Sequence, residues 1–189
     1  MKIKFLKNSA LITFHPETLK KNTTYKNFIE LLKSLKKLKN VTLIFTMPNH
    51  DIESSIIYKL IINFVKKNNN SYFFKSLGQK LYFSCCNNID FMIGNSSSGL
   101  LEMPSFKKFT INIGDRQKGR IKAKSVINCK FENKEISKAI NFVLNKKNQK
   151  FLKNIKNPYR RGRSYKKNVS NLNKIKNEAK INKKFFNHN

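Results

Sequence analysis

Short apolar runs alternate along this chain with longer stretches whose apolar residues recur every three or four positions. Ala10-Leu11-Ile12-Thr13-Phe14 reads as a buried strand, and His15-Pro16 stops it, because proline lacks a backbone donor and restricts the residue before it. Thr23 or Thr24 is placed to cap a helix that carries Phe28, Leu31, Leu32, Leu35 and Leu38 on one face and lysines on the other. Val41-Thr42-Leu43-Ile44-Phe45 is a second strand, closed by Met47-Pro48-Asn49. Ile56, Ile57, Leu60, Ile61 and Phe64 give helical spacing to residues 53–67, Asn68-Asn69-Asn70 ends that helix, and Tyr72-Phe73-Phe74 is a third strand. A helix opened by Gly78 runs through Leu81, Tyr82 and Cys85 to a fourth strand, Phe91-Met92-Ile93. Residues 109–113 form a fifth strand and Ser125-Val126-Ile127 a sixth, and Ile136, Ile140 and Val143 mark one more helix.

Strict alternation, with strands apolar on both faces, predicts a parallel sheet between two layers of helices: an α/β, Rossmann-like, three-layer α/β/α fold. Ligands of such folds bind beyond the carboxyl ends of the strands, so the loops that follow the strands are where chemistry is expected.

Composition changes this picture in one respect. The chain has 189 residues, with 40 Lys plus Arg against 10 Asp plus Glu, a formal net charge of +30. Such an excess points to nucleic acid or an anionic surface. Yet 35 of the 40 cations are lysine, and asparagine is also abundant, as adenine- and thymine-rich codons would produce. Without a basic strand face interleaved with aromatics or a known recognition motif, a nucleic-acid reading rests on charge alone. No run approaches the roughly 18 apolar residues of a membrane span, and residues 1–14 lack a signal-peptide pattern. Cys85, Cys86 and Cys129 make neither a metal knuckle nor an even disulfide framework, so a soluble protein of the reducing cytoplasm, without metal or cofactor, is expected.

Candidate chemistry gathers in the loops. Ile93-Gly94-Asn95-Ser96-Ser97-Ser98-Gly99 lies between a strand and a helix that would include Leu100, Leu101 and Glu102. Serine hydroxyls and helix N-terminal amides donate to oxygen anions there, while an ionised Glu102 only accepts and so suits ribose hydroxyls better than phosphate. The competing reading is a serine-rich cap of an ordinary helix. Ile113-Gly114-Asp115-Arg116-Gln117-Lys118-Gly119-Arg120 carries two of only five arginines, which suggests a need for the planar guanidinium; alternatively, Arg116 braces the loop by pairing with Asp115 or Glu102. His15 can bind a phosphate oxygen or move a proton, or be structural. Asn49 has the same address after the second strand. Tyr82 is core or a base-stacking platform, and the adjacent cysteines are packing rather than redox groups.

Taken together, residues 13–18, Thr46-Met47-Pro48-Asn49-His50-Asp51, residues 93–99 with Glu102, residues 110–117 with Gly119-Arg120, and Asn157-Pro158-Tyr159 with Gly162-Arg163-Ser164 resemble the C-terminal half of the UDP-N-acetylglucosamine 2-epimerase family. The likeness runs from about Ser9 to about Leu172 and is nearer to the hydrolysing branch, which makes N-acetylmannosamine or a related sugar for sialic or legionaminic acid synthesis. It implies the C-terminal domain of a GT-B fold, as in UDP-glycosyltransferases and glycogen phosphorylase. It implies a Rossmann-like nucleotide-binding domain over 1–157, a crossover helix region over 158–176 and a basic, disordered tail over 177–189.

The resemblance also implies roles. Ser96 and Ser97 match positions holding the diphosphate, and Glu102 matches the glutamate on the ribose hydroxyls. His15 matches a catalytic histidine at the phosphate and sugar side, Asn49 a nearby polar contact, and Arg116 an arginine facing the cleft. Leu77 and Tyr82 align with positions around uracil. In the family's mechanism UDP leaves by elimination with loss of the C2 proton, and water adds to the glycal. The groups acting on the sugar resemble carboxylates of an N-terminal domain, whereas only eight residues precede Ser9 here. The expectation is therefore a UDP-sugar-binding half of such an epimerase, from a split gene, a truncated gene or an incomplete gene model, completed by an N-terminal half or a homo-oligomer. The alternatives are a non-catalytic UDP-binding module and, on charge alone, a nucleic-acid-binding protein.

Overall fold

The computed structural model describes residues 3–17, 23–48, 53–160 and 168–172. Six strands form one sheet: β1 (Asn8–Thr13), β2 (Val41–Thr46), β3 (Ser71–Phe74), β4 (Phe91–Gly94), β5 (Phe109–Ile113) and β6 (Val126–Cys129). Their order is β3-β2-β1-β4-β5-β6 and every pairing is parallel. All six carboxyl ends therefore share one edge, and the order reverses between β1 and β4. That switch point is where connections leave in opposite directions and open a crevice.

Pleating sorts the strand residues. Ala10, Ile12, Leu43, Phe45, Phe91, Ile93, Phe109 and Ile111 share one face and pack in a single cluster with side chains from α1 (Thr24–Lys36), α2 (Ser54–Lys67) and α5 (Asn133–Leu144). Phe28, Leu31 and Leu35 of α1, Ile57 and Ile61 of α2, and Ile136 and Ile140 of α5 are each at most 1 % exposed. The other face is smaller and more polar: Leu11, Ile44 and Met92 meet Cys86 and Ile89 at the end of α3 (Gly78–Asn88), and Met103. Thr13 and Thr46 on that face satisfy each other through their hydroxyls at 2.8 Å.

The expected strands and long helices all form, with ends shifted by a residue or two. Two local readings change. Thr23 precedes α1 without a side-chain capping bond, and the Thr24 hydroxyl donates to the Glu53 carboxylate instead. The helix after the serine loop, α4, spans only Ser98–Leu101 and passes into a 3₁₀ turn, Met103–Phe106, because Pro104 has no amide to continue the α-helical ladder. A four-residue helix has little macrodipole, so anion binding at this loop falls to its hydroxyls and individual amides.

After α5 the chain forms α6 (Lys146–Gln149) and a 3₁₀ turn over Lys150–Asn154. Asn157 then donates to the Leu101 carbonyl and to Ser105 Oγ, both at 2.7 Å, which ties this return segment to the end of α4. Residues Met1–Pro158 form one compact unit and Tyr159–Asn189 a second, in which 168–172 are helical. Asn49, the Gly162-Arg163-Ser164 motif and the expected tail over 177–189 lie outside the described residues.

Candidate nucleotide site at the switch point

The loops after β1, β4 and β5 meet on one residue, Asn95, which is fully buried. Its backbone amide continues the β1–β4 pairing by donating to the Thr13 carbonyl at 3.2 Å. Its side chain then spans the switch point: Oδ1 accepts from the His15 amide and Nδ2 donates to the His15 carbonyl, each at 2.8 Å. The Asn95 carbonyl accepts from Gln117 Nε2 at 2.9 Å and from Arg116 Nη1 at 3.2 Å. A primary amide pairing edge to edge with a peptide group fixes both partners, since each supplies the donor the other lacks. His15, Ser96 and Arg116 are thereby brought to one locus from three strand ends.

Gly94 makes this close approach feasible. Its φ is +145°, and a Cβ at that position would fall 1.9 Å from the Thr13 carbonyl oxygen. Gly99 serves the next step, since a Cβ there would sit 2.5 Å from Thr110 Cγ2, while Thr110 Oγ1 donates to the Gly99 carbonyl at 2.8 Å. These two glycines seat the serine loop directly on β1 and β5.

Ser96, Ser97 and Ser98 are half-buried along the crevice. Ser96 Oγ accepts from the Ser98 amide at 3.4 Å. Ser98 is committed elsewhere: its hydroxyl donates to the Glu102 carboxylate and is bonded to the Tyr82 hydroxyl of α3. Burial pushes the Tyr82 phenol well above its ordinary value, outweighing the Ser98 hydrogen bond, and the neighbouring Cys86 and Glu102 add to the rise. Leu77, which precedes α3, lines a separate cavity of about 580 Å³ with Ile44, Phe74 and Leu81. The structure thus groups His15, Ser96, Ser97 and Arg116 around Asn95, joins Tyr82 to Glu102, and turns Leu77 toward a different side of α3.

Arg116 is exposed, and its bond to the Asn95 carbonyl links the loop after β5 to the serine loop. All three cysteines are free. Burial pushes Cys85 up to about 11 and, with the Cys85 charge as a second cause, Cys86 up to about 12, as expected of packing thiols. No helix among the described residues is long and apolar enough to cross a membrane.

In the sequence Asn95 and Gln117 stand out only as members of the loops after β4 and β5. The available signal was a polar residue following a wholly apolar strand, where burial forces an amide to find complete hydrogen bonding.

A family model described as UDP-N-acetylglucosamine 2-epimerase matches residues 2–173, and the matched stretch carries all of these loops. The chain belongs to the UDP-N-acetylglucosamine 2-epimerase family. It is 44 % identical over 128 residues to the Campylobacter jejuni GDP/UDP-N,N'-diacetylbacillosamine 2-epimerase (hydrolyzing), covering 67 % of this chain and 33 % of that protein. It is 38 % identical over 155 residues to the Escherichia coli polysialic acid biosynthesis protein P7, covering 82 % of this chain and 39 % of the relative. The chain thus spans between a third and two fifths of these relatives' lengths. Among solved structures, the Neisseria meningitidis UDP-GlcNAc 2-epimerase bound to UDP-GlcNAc superimposes with a TM-score of 0.65 at 19 % identity, over 91 % of this chain and 45 % of that one. The C-terminal domain of a Francisella tularensis group 1 glycosyl transferase superimposes with a TM-score of 0.57 at 15 % identity, over 82 % and 84 %. The fold is that of the C-terminal domain of GT-B proteins.

Proposed function

We propose that this chain is the UDP-binding half of a hydrolysing 2-epimerase acting on UDP-N-acetylglucosamine or a related UDP-sugar in the cytoplasm, supplying the sugar for a sialic or legionaminic acid-type synthesis. The observation that carries the reading is the convergence on Asn95. It brings His15, the serine loop and Arg116 to the switch point, where a parallel sheet of this order binds nucleotides. Ser96, Ser97, His15 and Arg116 hold the diphosphate, Glu102 accepts from the ribose hydroxyls, and Asn49 and Tyr82 complete the contacts to phosphate and base.

In this reading the chemistry is an elimination. The C1–O bond to UDP breaks, the C2 proton leaves, and water adds across the resulting double bond from the other face. Charge grows on the departing diphosphate as that bond breaks, so donors fixed beforehand stabilise the transition state more than the bound substrate. His15 is held for this by both hydrogen bonds of the Asn95 amide to its peptide, which spares reorganisation during the reaction. The groups that take the C2 proton and activate water belong to an N-terminal half, which a second chain or a longer form of this one supplies.

Calorimetric titration with UDP tests the binding reading: the chain binds, and Ser97→Ala and Glu102→Ala each weaken binding by about tenfold or more. Absence of UDP binding by the unaltered chain refutes it. Release of UDP from UDP-GlcNAc, measured with and without a co-expressed N-terminal epimerase half, separates the catalytic reading from that of a binding module.

A further inference from the structure

Ser98 stands between two groups that the proposed function uses for different parts of the nucleotide. Its hydroxyl has one hydrogen, and that hydrogen goes to the Glu102 carboxylate. An ionised carboxylate has none to return, so the Tyr82 hydroxyl bonded to the same Ser98 oxygen must be the donor in that contact. The three groups form a one-way chain, Tyr82 to Ser98 to Glu102, running from α3 across to the residue that closes α4. Burial keeps Tyr82 protonated far above neutral pH, so the direction does not reverse under physiological conditions. Tyr82 packs against the buried cluster that holds Cys86, one helical turn later.

A glutamate on a single-turn helix has several rotamers open to it, and each costs entropy to fix when a ligand arrives. Here one carboxylate oxygen is already engaged, so the plane of the group is set before ribose is met. We infer that Tyr82 and Ser98 are positioning residues that pre-set Glu102 for a vicinal diol, making this hydrogen-bonded chain the device by which the site prefers ribonucleotides. The inference rests on the proposed reading that Glu102 accepts from ribose. It gives Ser98 a different task from Ser96 and Ser97, and gives the Tyr82 hydroxyl a task distinct from any contact of its ring with the base.

The test titrates UDP and 2′,3′-dideoxy-UDP into the unaltered chain, Tyr82→Phe and Ser98→Ala, with folding of each variant verified by circular dichroism. The unaltered chain prefers UDP by about tenfold or more. Tyr82→Phe keeps the ring and removes only the distal donor. It lowers UDP affinity by about three- to tenfold more than it lowers dideoxy-UDP affinity, so the preference shrinks, and Ser98→Ala moves the ratio the same way. An unchanged preference in Tyr82→Phe, or an equal loss for both nucleotides in both variants, overturns the inference while the UDP-binding reading survives. An unaltered chain that binds neither nucleotide overturns both.

Discussion

Replacing Asn95 by alanine removes the side chain that ties the loop after β4 to the end of β1. The amide's two hydrogen bonds to the His15 peptide, each 2.8 Å, disappear, and the donor and acceptor they satisfied lie beside a histidine only 6 % exposed. A buried backbone group left without its partner costs about 1–3 kcal/mol, so the pair costs about 2–6 kcal/mol. The backbone carbonyl that receives Gln117 and Arg116 is retained, so those bonds are weakened only through movement of the loop. For a domain of about 150–250 residues each kcal/mol shifts the melting midpoint by about 2–4 °C, which gives a fall of about 4–24 °C. Urea unfolding followed by circular dichroism measures the loss at constant m-value. Asn95→Asp refines the test. It keeps the acceptor for the His15 amide, but when ionised it has no donor and turns a negative charge toward the His15 carbonyl. Burial raises the pKa of that carboxyl in the folded state, so the variant's stability is fullest below the unfolded carboxyl value and is lost as pH rises through the raised folded value. A loss of less than about 1 kcal/mol in Asn95→Ala, or a stability of Asn95→Asp indifferent to pH, refutes the argument that this amide holds His15.

Three further outcomes are expected. Gly94→Ala places a methyl 1.9 Å from the Thr13 carbonyl oxygen and forces β1 and β4 apart, so it destabilises by several kcal/mol, at least as much as Asn95→Ala, in the same unfolding assay. Arg116→Lys keeps the charge but loses the planar fork that bonds the Asn95 carbonyl, and it weakens UDP binding by about three- to tenfold in calorimetry without a comparable change in melting midpoint. Cys86, held up at about 12 by burial, reacts with a disulfide reagent at pH 8 far more slowly in the folded than in the unfolded protein. Because its folded value is raised, the thiol's contribution to stability is present below the unfolded thiol value and declines as pH climbs from there toward 12.

The layered fold was legible because the inner strands are short and largely apolar and each long helix is apolar on one face, as a parallel sheet between helices requires. Its margins were less so. Thr24 has the composition of a helix cap, but its hydroxyl is drawn to Glu53, twenty-nine residues away in sequence and beyond the reach of local pattern. The helix after the serine loop was over-read because Leu100, Leu101 and Glu102 have helical propensity, while Pro104 limits the turn. The loops of the site were legible by their address and composition. The role of Asn95 was not, since an asparagine beside glycine and serine reads as a loop former, and only a neighbouring strand eighty residues earlier makes it a buried clamp.

The assembly around Asn95 also sets when the site can exist. His15, Asn95 and Gln117 lie on β1, β4 and β5 margins, and their bonds close loops of 80 and 22 residues. No stretch of chain shorter than residues 15–117 contains the set, so the site cannot form on a partly folded sheet or early during synthesis. Loop closure of this length delays its appearance until most of the sheet is in register. A ligand held there would be linked to the global unfolding reaction rather than to a local opening, and nucleotide binding would serve as a reporter of complete folding.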